Sequence, residues 1–331
     1  MYKTLLGVIT ALMLTVGPMT AAPMPIVPDL DQLTNALSTF AAETPKALPF
    51  AAGAGIDWSQ AYIGNLIDGN FPFIHLGVGA QVGATTIPSA SVVPLLGLIR
   101  LKLPPGLAFL PLPFVVANAR LGGLIIPFDI GIKAGFLPQN LQNALPGYTF
   151  GYQNFGIDAR FPLVRENFLL PTISVGGGLS LMRAMVQADK LAQDVVVTTS
   201  ALPGRELTLT APTLIMELGA YNVEAKIQIS KNILWLFTPY LGASVAYGKG
   251  TAQASLESTI ADSSGDLSYW KNHGLNIDPR GIHRQGEFGS LALKAYGGMS
   301  LDVLILKVDA QAMYDILSEA MGASIGVRLQ L

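Results

Sequence analysis

Apolar and polar residues alternate over most of the chain from residue 73 onward. The first such run alternates Ile74, Leu76 and Val78 with His75 and Gly77. Because successive side chains of a strand point to opposite faces, each run has one apolar face and one small or polar face. Ten runs of this kind follow one another, each near the length of about 9–11 residues with which a tilted strand crosses a bilayer. The pattern predicts an all-β, antiparallel structure.

The composition favours contact with lipid. Hydrophobic residues make up 50% of the chain, charged residues only 13%, and the mean hydropathy is +0.46, whereas soluble domains average about 25% charged residues. The most apolar stretch after the N-terminus, residues 92–119, contains Arg100, Lys102 and several prolines, which excludes a spanning helix. The remaining solution in lipid is a closed β-barrel. A soluble β-sandwich is the alternative, but its outward faces would be more polar than these Gly-, Ser- and Ala-rich ones.

Residues 1–22 have the layout of a secretory signal peptide. Lys3 gives a short positive region, residues 5–16 form an apolar core, and small residues follow. An N-terminal membrane anchor is the weaker alternative. We therefore expect an exported protein.

Residues 23–72 are predicted to form a periplasmic N-terminal segment with one short helix. Asp29 caps this helix, which runs to Glu43 and is stopped by Pro45 and Pro49. Such a helix packs against the body of the protein or, alternatively, plugs the mouth of the barrel.

The links between the predicted strands alternate in length. Short links lie near residues 123–127, 163–170, 231–237 and 302–305, and longer ones cover 85–112, 137–150, 183–212 and 249–286. Outer-membrane barrels have short periplasmic turns and longer outer loops. Residues 73–331 therefore predict a transmembrane up-and-down barrel of about ten strands, in a range of roughly 8–14, with both ends periplasmic. A change of parity predicts a β-bulge near Gly219.

The C-terminal motif Ser324-x-Gly326-x-x-Leu329-x-Leu331 resembles the β-signal of bacterial outer-membrane proteins. The resemblance implies a place in the cell outer membrane and recognition by the barrel-assembly machinery. The last residue of that signal is most often aromatic, whereas here it is Leu331. More loosely, residues 127–131 and 326–328 resemble small barrels of spirochaetes, and a segment ahead of a barrel resembles the long-chain fatty-acid transporters. Only the architecture is carried over from these two families.

The polar strand faces provide a set of charged residues that are predicted to line the lumen. These residues are Arg120, Asp129, Lys133, Asp158, Arg160, Glu224, Lys226, Lys294, Lys307, Asp309 and Arg328. With Glu217 and Asp302 added, seven cations oppose six carboxylates, and this near-balance argues against strong ion selectivity. Isolated charges in a narrow barrel are costly, so we expect pairing, either in a filled lumen or along a polar pore.

Other chemistry is sparse. His273, Asp278 and His283 share one predicted outer loop, but neither a nucleophile motif nor a metal-ligand spacing accompanies them. We expect no enzyme activity, no catalytic residue, no metal and no cofactor. For the apolar loop over 92–110 we expect one of three roles: it forms a constriction, lines a hydrophobic pocket or lengthens its neighbouring strands.

The sequence thus predicts a passive pore or transporter for small solutes, some of them hydrophobic. The alternative is a closed structural barrel, or one that binds partners through its outer loops, and a hydrolase at the barrel rim ranks third. Expected partners are outer-membrane lipid, the assembly machinery and small solutes. The net charge of −2 excludes strong nucleic-acid binding, and we expect a monomer.

Overall fold

The computed structural model describes residues 29–65, 75–98, 109–123, 126–137, 142, 148–188, 194–199, 201, 204–278 and 281–331. The predicted signal peptide and residues 99–108 of the apolar loop lie outside these ranges.

Ten long antiparallel strands close into a ring, in which each strand pairs with the strands on both sides. They are β1 (Leu76–Pro88), β2 (Phe109–Gly122), β3 (Asp129–Phe136), β4 (Tyr148–Val164), β5 (Thr172–Ala188), β7 (Glu206–Ser230), β8 (Phe237–Asp262), β10 (Gly281–Val303), β11 (Leu306–Asp315) and β12 (Met321–Gln330), while the short β6 (Val195–Thr198) and β9 (Ile277–Asp278) pair with β7 and β10. The last strand closes the ring against β1, from Gly77 opposite Gln330 to Thr85 opposite Gly322. The predicted up-and-down barrel is confirmed.

The two ends of the barrel differ in the length of their connections. One end carries the links 123–128, 165–171, 231–236 and 304–305, and the other carries the longer loops and the brief 316–320 turn. We call them the inner and the outer end, because outer-membrane barrels have short turns on the periplasmic side.

An apolar band surrounds the barrel near its inner end. On β8 the outward residues Leu241, Val245 and Tyr247 are all about half exposed or more, at 63%, 45% and 59%. The ten residue steps from Phe237 to Tyr247 span about 33 Å along a strand, or about 25 Å of height at a tilt near 40°. That height matches the hydrocarbon core that such barrels cross. Trp235, 88% exposed, extends from an inner turn where an interfacial aromatic is expected.

Above this band the apolar face moves from the outside of the wall to the inside. On β7 the inward side is polar near the inner end and becomes apolar at Leu218, Met216 and Leu214, which are 5%, 6% and 1% exposed. The ladder to β8 continues unbroken past Gly219, and its only shift lies between Thr210 and Thr213. The predicted bulge near Gly219 is therefore wrong. The parity changes because lipid contacts the wall below, whereas protein fills the barrel above.

The filling element is helix α1 (Leu30–Ala52), which starts at the outer end, where Asp29 bridges to Thr198 of β6. It is longer than predicted, since Pro45 and Pro49 lie inside it. These prolines supply no N–H to the carbonyls four residues earlier and push them aside.

The carbonyls released by the two prolines, those of Ala41 and Pro45, face glycines of the wall. A Cβ at Gly286 would collide with the Ala41 oxygen, and one at Gly250 with the Pro45 oxygen. The absence of side chains at these two wall positions makes room for a helix that contains proline.

Part of the apolar 92–110 loop covers this helix. Residues Ser89–Leu98 form helix α2, and its Val92 and Leu95 are fully buried in the core that α1 shares with the wall. Residues from Phe109 onward instead lengthen β2. Two of the three expected roles, closing the mouth and extending a strand, thus fall on different parts of the loop.

Among the described helices, none is long and apolar enough to cross a membrane.

Candidate lumen site

Residues 53–63, here called the lumen segment, continue from α1 through the barrel to its inner end. The Ala61 N–H donates to the Ser230 hydroxyl at 2.9 Å, at the inner end of β7. The Ile63 N–H donates to an Asp129 carboxylate oxygen at 3.1 Å, at the inner end of β3. The expected periplasmic segment therefore lies, in its described part, inside the barrel, because polar side chains of the wall satisfy its backbone there.

The centre of the lumen holds a carboxylate of this segment between two lysines of the wall. Lys226 donates to one oxygen of Asp57 at 2.7 Å, and Lys294 donates to the other at 2.9 Å. Lys226 also pairs with Asp158 at 2.7 Å, and Lys294 with Glu224 at 2.8 Å. Asp57 is 2% exposed, so these pairs are shielded from water and from salt.

A second ion cluster joins neighbouring strands below the centre. Arg120 of β2 donates to Asp158 at 2.7 Å and also contacts Asp129. Arg160 of β4 donates to both oxygens of Asp129 at 2.9 Å, in the bidentate geometry that favours arginine over lysine. Both arginines also reach backbone carbonyls of residues 56 and 60. The cluster thus binds the wall strands together and holds the lumen segment.

Lys133 occupies the point where α1 ends. Its ammonium donates to the carbonyls of Ala52 and Ala54, each at 2.6 Å. The last carbonyls of a helix have no partners within it and carry the negative end of the helix dipole, so a cation here is stabilising. Asn222 likewise donates to the Pro49 carbonyl at 2.6 Å. The end of the helix is therefore capped by the barrel wall.

Trp58 fills the lumen below Asp57. Its indole N–H donates to the Asn118 side chain at 3.1 Å, and its ring lies 4.9 Å from the Arg328 guanidinium and 5.7 Å from that of Arg120. Gly77 of β1 faces the ring, and a Cβ at that position would lie 2.7 Å from it. The indole is 1% exposed, so it closes this level of the barrel.

The remaining predicted lumen residues lie near the inner end. Lys307 pairs with Asp302 at 3.0 Å, and Arg328 pairs with Asp309. Arg328 also donates to the Ser59 hydroxyl at 2.6 Å, so the terminal strand contacts the lumen segment directly. All eleven predicted lumen residues are buried in the structure.

Within the terminal motif, Ser324 is buried and faces inward, whereas Leu329 and Leu331 are 50% and 62% exposed toward lipid. The β-signal motif therefore spans both faces of the strand that closes the ring. The Leu331 N–H completes the pairing by donating to the Leu76 carbonyl at 2.9 Å.

Sequence reasoning missed the groups that the N-terminal segment contributes, Asp57 and Trp58 above all. The available signal was an acidic residue and a tryptophan directly after the small, apolar run 51–56. The sequence-based prediction also placed Glu217 in the lumen, whereas Glu217 is exposed on the outer surface above the apolar band. The parity of β7 was misread there, because the inward face has become apolar.

The histidines at the outer end have separate partners. His273 bonds through Nδ1 to the Tyr269 carbonyl at 2.8 Å and stacks on the same tyrosine. His283 lies 3.5 Å from the Asp278 carboxylate and bonds to Asn276. Within the described part of the chain, no three His, Cys, Asp or Glu side chains are grouped to hold a metal ion.

No protein-family model matches the chain, and no curated protein matches it. Among solved structures, the outer membrane protease OmpT from Escherichia coli aligns with a TM-score of 0.38 and 9% identity, over 78% of this chain and 95% of that chain. The translocator domain of the autotransporter NalP from Neisseria meningitidis aligns with a TM-score of 0.32 and 8% identity, over 79% and 90%. The Acinetobacter baumannii outer membrane protein Omp33 gives a TM-score of 0.24 and 8% identity, over 78% and 98%.

The protein is an outer-membrane β-barrel. Its ring is closed, its apolar surface forms a band of bilayer height, and its turns are short at one end and long at the other. The predicted location in the outer membrane is confirmed.

Proposed function

We propose that the protein is a gated passive transporter, which admits small solutes when the lumen segment moves out of the lumen. The observation that carries this proposal is that the obstruction is separate from the wall. Ten strands complete the ring by pairing with one another, and the lumen segment adds no strand to it. Its removal would leave the backbone hydrogen bonds between the strands of the ring intact.

The contacts of the lumen segment suit a part that can move. Its backbone is held by polar side chains of the wall, such as Gln228, which donates to the carbonyls of Trp58 and Ser59 at 2.7 and 3.1 Å, and water can replace bonds of this type. Its first three residues, 53–55, are alanine or glycine, which have little or no side chain to pack against the wall. Eight-stranded barrels are just filled by their own side chains, so ten strands leave room for a small solute.

A second feature supports hydrophobic cargo. A cavity of about 300 Å³ lies along β1, β2, β11 and β12, and apolar groups including Val82, Phe114 and Leu137 dominate its lining. This volume is at the lower limit of pockets that hold small ligands.

A reversible cross-link tests the gate. The chain contains no cysteine, so Ala61→Cys with Ser230→Cys introduces a single pair, at a contact of 2.9 Å between the Ala61 N–H and the Ser230 hydroxyl. We expect the reduced double variant to conduct in a planar bilayer, the oxidised form to be silent, and reductant to restore conductance. Ser230→Cys alone controls for oxidation. A folded, reduced protein that never conducts would refute transport.

The second candidate is a closed barrel that acts through its outer end. Strands β7, β8 and β10, of 25, 26 and 23 residues, rise well above the apolar band. They carry a packed outer body in which Trp270 and Ile282 are fully buried. A permanently silent barrel in the cross-linking experiment would favour this surface-binding role.

A rim hydrolase remains the third proposal, and we expect it to fail. His273 bonds to the Tyr269 carbonyl, and His283 lies beside Asn276 and Asp278, so in the described residues neither is paired with a serine or threonine hydroxyl. Replacing both by alanine should leave any hydrolytic activity of the purified protein unchanged.

A further inference from the structure

The charges on the barrel wall do not balance without the lumen segment. Among the described residues that face the lumen at the level of the apolar band, the cations are Arg120, Lys133, Arg160, Lys226, Lys294, Lys307 and Arg328, and the carboxylates are Asp129, Asp158, Glu224, Asp302 and Asp309. Asp315 of β11 is also buried, but its carboxylate accepts from the backbone N–H groups of Leu293 and Ser318 at the outer turn and is not counted with these five. Seven cations thus face five carboxylates of the wall. The sixth carboxylate belongs to Asp57, from the segment that blocks the lumen.

The excess positive charge is concentrated around Asp57. Lys226 and Lys294 each have one carboxylate partner in the wall, at 2.7 and 2.8 Å, and each directs a further donor to Asp57. Lys133, the third lysine of this region, donates to backbone carbonyls at the end of α1 and has no carboxylate partner among the described residues. A buried cation that loses one partner is strongly destabilised, so these lysines favour an anion between them.

The geometry at Asp57 specifies the kind of anion. One lysine binds each carboxylate oxygen, at 2.7 and 2.9 Å. A planar carboxylate offers each ammonium its own charged oxygen, as Asp57 does, whereas a neutral amide has one acceptor oxygen and no charge.

We propose that Lys226 and Lys294 form a binding site for small organic carboxylates at the centre of the lumen, and that Asp57 occupies this site in the closed state. The site deepens the proposed transport function and rests on it, since a solute reaches the lysines in the native protein only when the lumen segment moves. The transported solutes would accordingly include carboxylic acids.

Chemical rescue tests the site directly. The Asp57→Ala barrel is folded in acetate, in chloride at equal ionic strength, or in chloride with acetamide, and its thermal unfolding is followed by circular dichroism. We expect acetate to raise the midpoint by about 2 °C at ten times its dissociation constant, and by more at higher concentration. Chloride and acetamide should have little effect. Equal responses to acetate and chloride, or no response to either, would overturn the proposal.

Two matched variants separate binding from a general salt effect. In Asp57→Asn the amide fills the space of the carboxylate, so acetate should not act on this barrel. Adding Lys226→Met to Asp57→Ala removes half of the site and should abolish the acetate response. A response that persists in either variant contradicts the assignment.

The acetate experiment tests the carboxylate site separately from transport, because its result does not depend on whether the barrel conducts. A barrel that acetate stabilises but that never opens would refute transport and leave the carboxylate site in place. If Asp57→Ala folds in acetate and not in chloride, the site is supported. If it folds in neither, Asp57→Ser is compared in the same way, and failure of both variants in acetate counts against the site, because a carboxylate that binds there would restore folding.

Discussion

Trp58 should act as the main latch of the lumen segment, and Trp58→Ala should release it. The indole is 1% exposed, bonds to Asn118 at 3.1 Å and stacks near two arginines. Large-to-small substitutions of buried tryptophan cost about 3–5 kcal/mol. Because the pairing of the strands does not involve this residue, we expect most of that cost to reduce the free energy that holds the lumen segment inside the barrel. About 3 kcal/mol would raise the displaced population roughly 100-fold.

Cysteine labelling measures this displacement. Ser59 is fully buried beside Arg328, and the chain has no other cysteine once Ser59→Cys is introduced. A water-soluble thiol reagent then reacts only when the segment leaves the lumen, at a rate proportional to the open population. We expect labelling of Ser59→Cys to accelerate roughly 100-fold when Trp58→Ala is added.

A matched tryptophan provides the control. Trp235 lies at an inner turn and is 88% exposed, whereas the lumen segment is buried inside the barrel. Trp235→Ala should leave the labelling rate of Ser59→Cys unchanged. If Trp58→Ala also leaves the rate unchanged while circular dichroism shows an intact barrel, the latch reasoning is refuted.

Three further predictions concern α1 and the outer end. Gly286→Ala should displace α1 from the wall at a cost of about 1–3 kcal/mol and lower its protection from hydrogen exchange, whereas Gly289→Ala, with 3.3 Å to its nearest neighbour, should not. An epitope inserted just ahead of α1 should bind antibody on intact cells, and one in the 231–236 turn only after permeabilisation. Burial raises the pKa of Asp262, but hydrogen bonds from Ser264 and Trp270 outweigh it and leave the pKa below 3.8. The stability that this carboxylate gives the outer body should be complete above pH 3.8 and be lost below it, which Trp270 fluorescence would report.

Local alternation was sufficient to predict the wall. Along β8, lipid contacts Leu241, Val245 and Tyr247 on one face, so the two-residue period maps directly onto outside and inside. The charged residues on the other face had to find partners, which is why the predicted lumen residues lie together. Over the whole apolar band, apolar side chains face lipid and small or polar side chains face the lumen, so the alternation can be recognised in the sequence alone.

The same rule misleads where the surroundings change. Leu214, Met216 and Leu218 face inward against α1, so their parity is opposite to that of the lipid-facing residues without any bulge. The helix itself extends past Pro45 and Pro49 because two glycines, distant in sequence, leave space for the released carbonyls. Both features depend on long-range contacts, which a pattern read along one segment does not contain.

The path of the N-terminal segment constrains how the protein can be assembled. The chain runs through the ring from the outer end, where α1 begins, to the inner end, where β1 starts. A helix with its side chains is about 10–12 Å wide. It must either be in place when β12 closes against β1, or be threaded afterwards through a finished barrel. The first order of events requires no such threading, so the terminal strand would close the wall around a chain that already crosses the membrane.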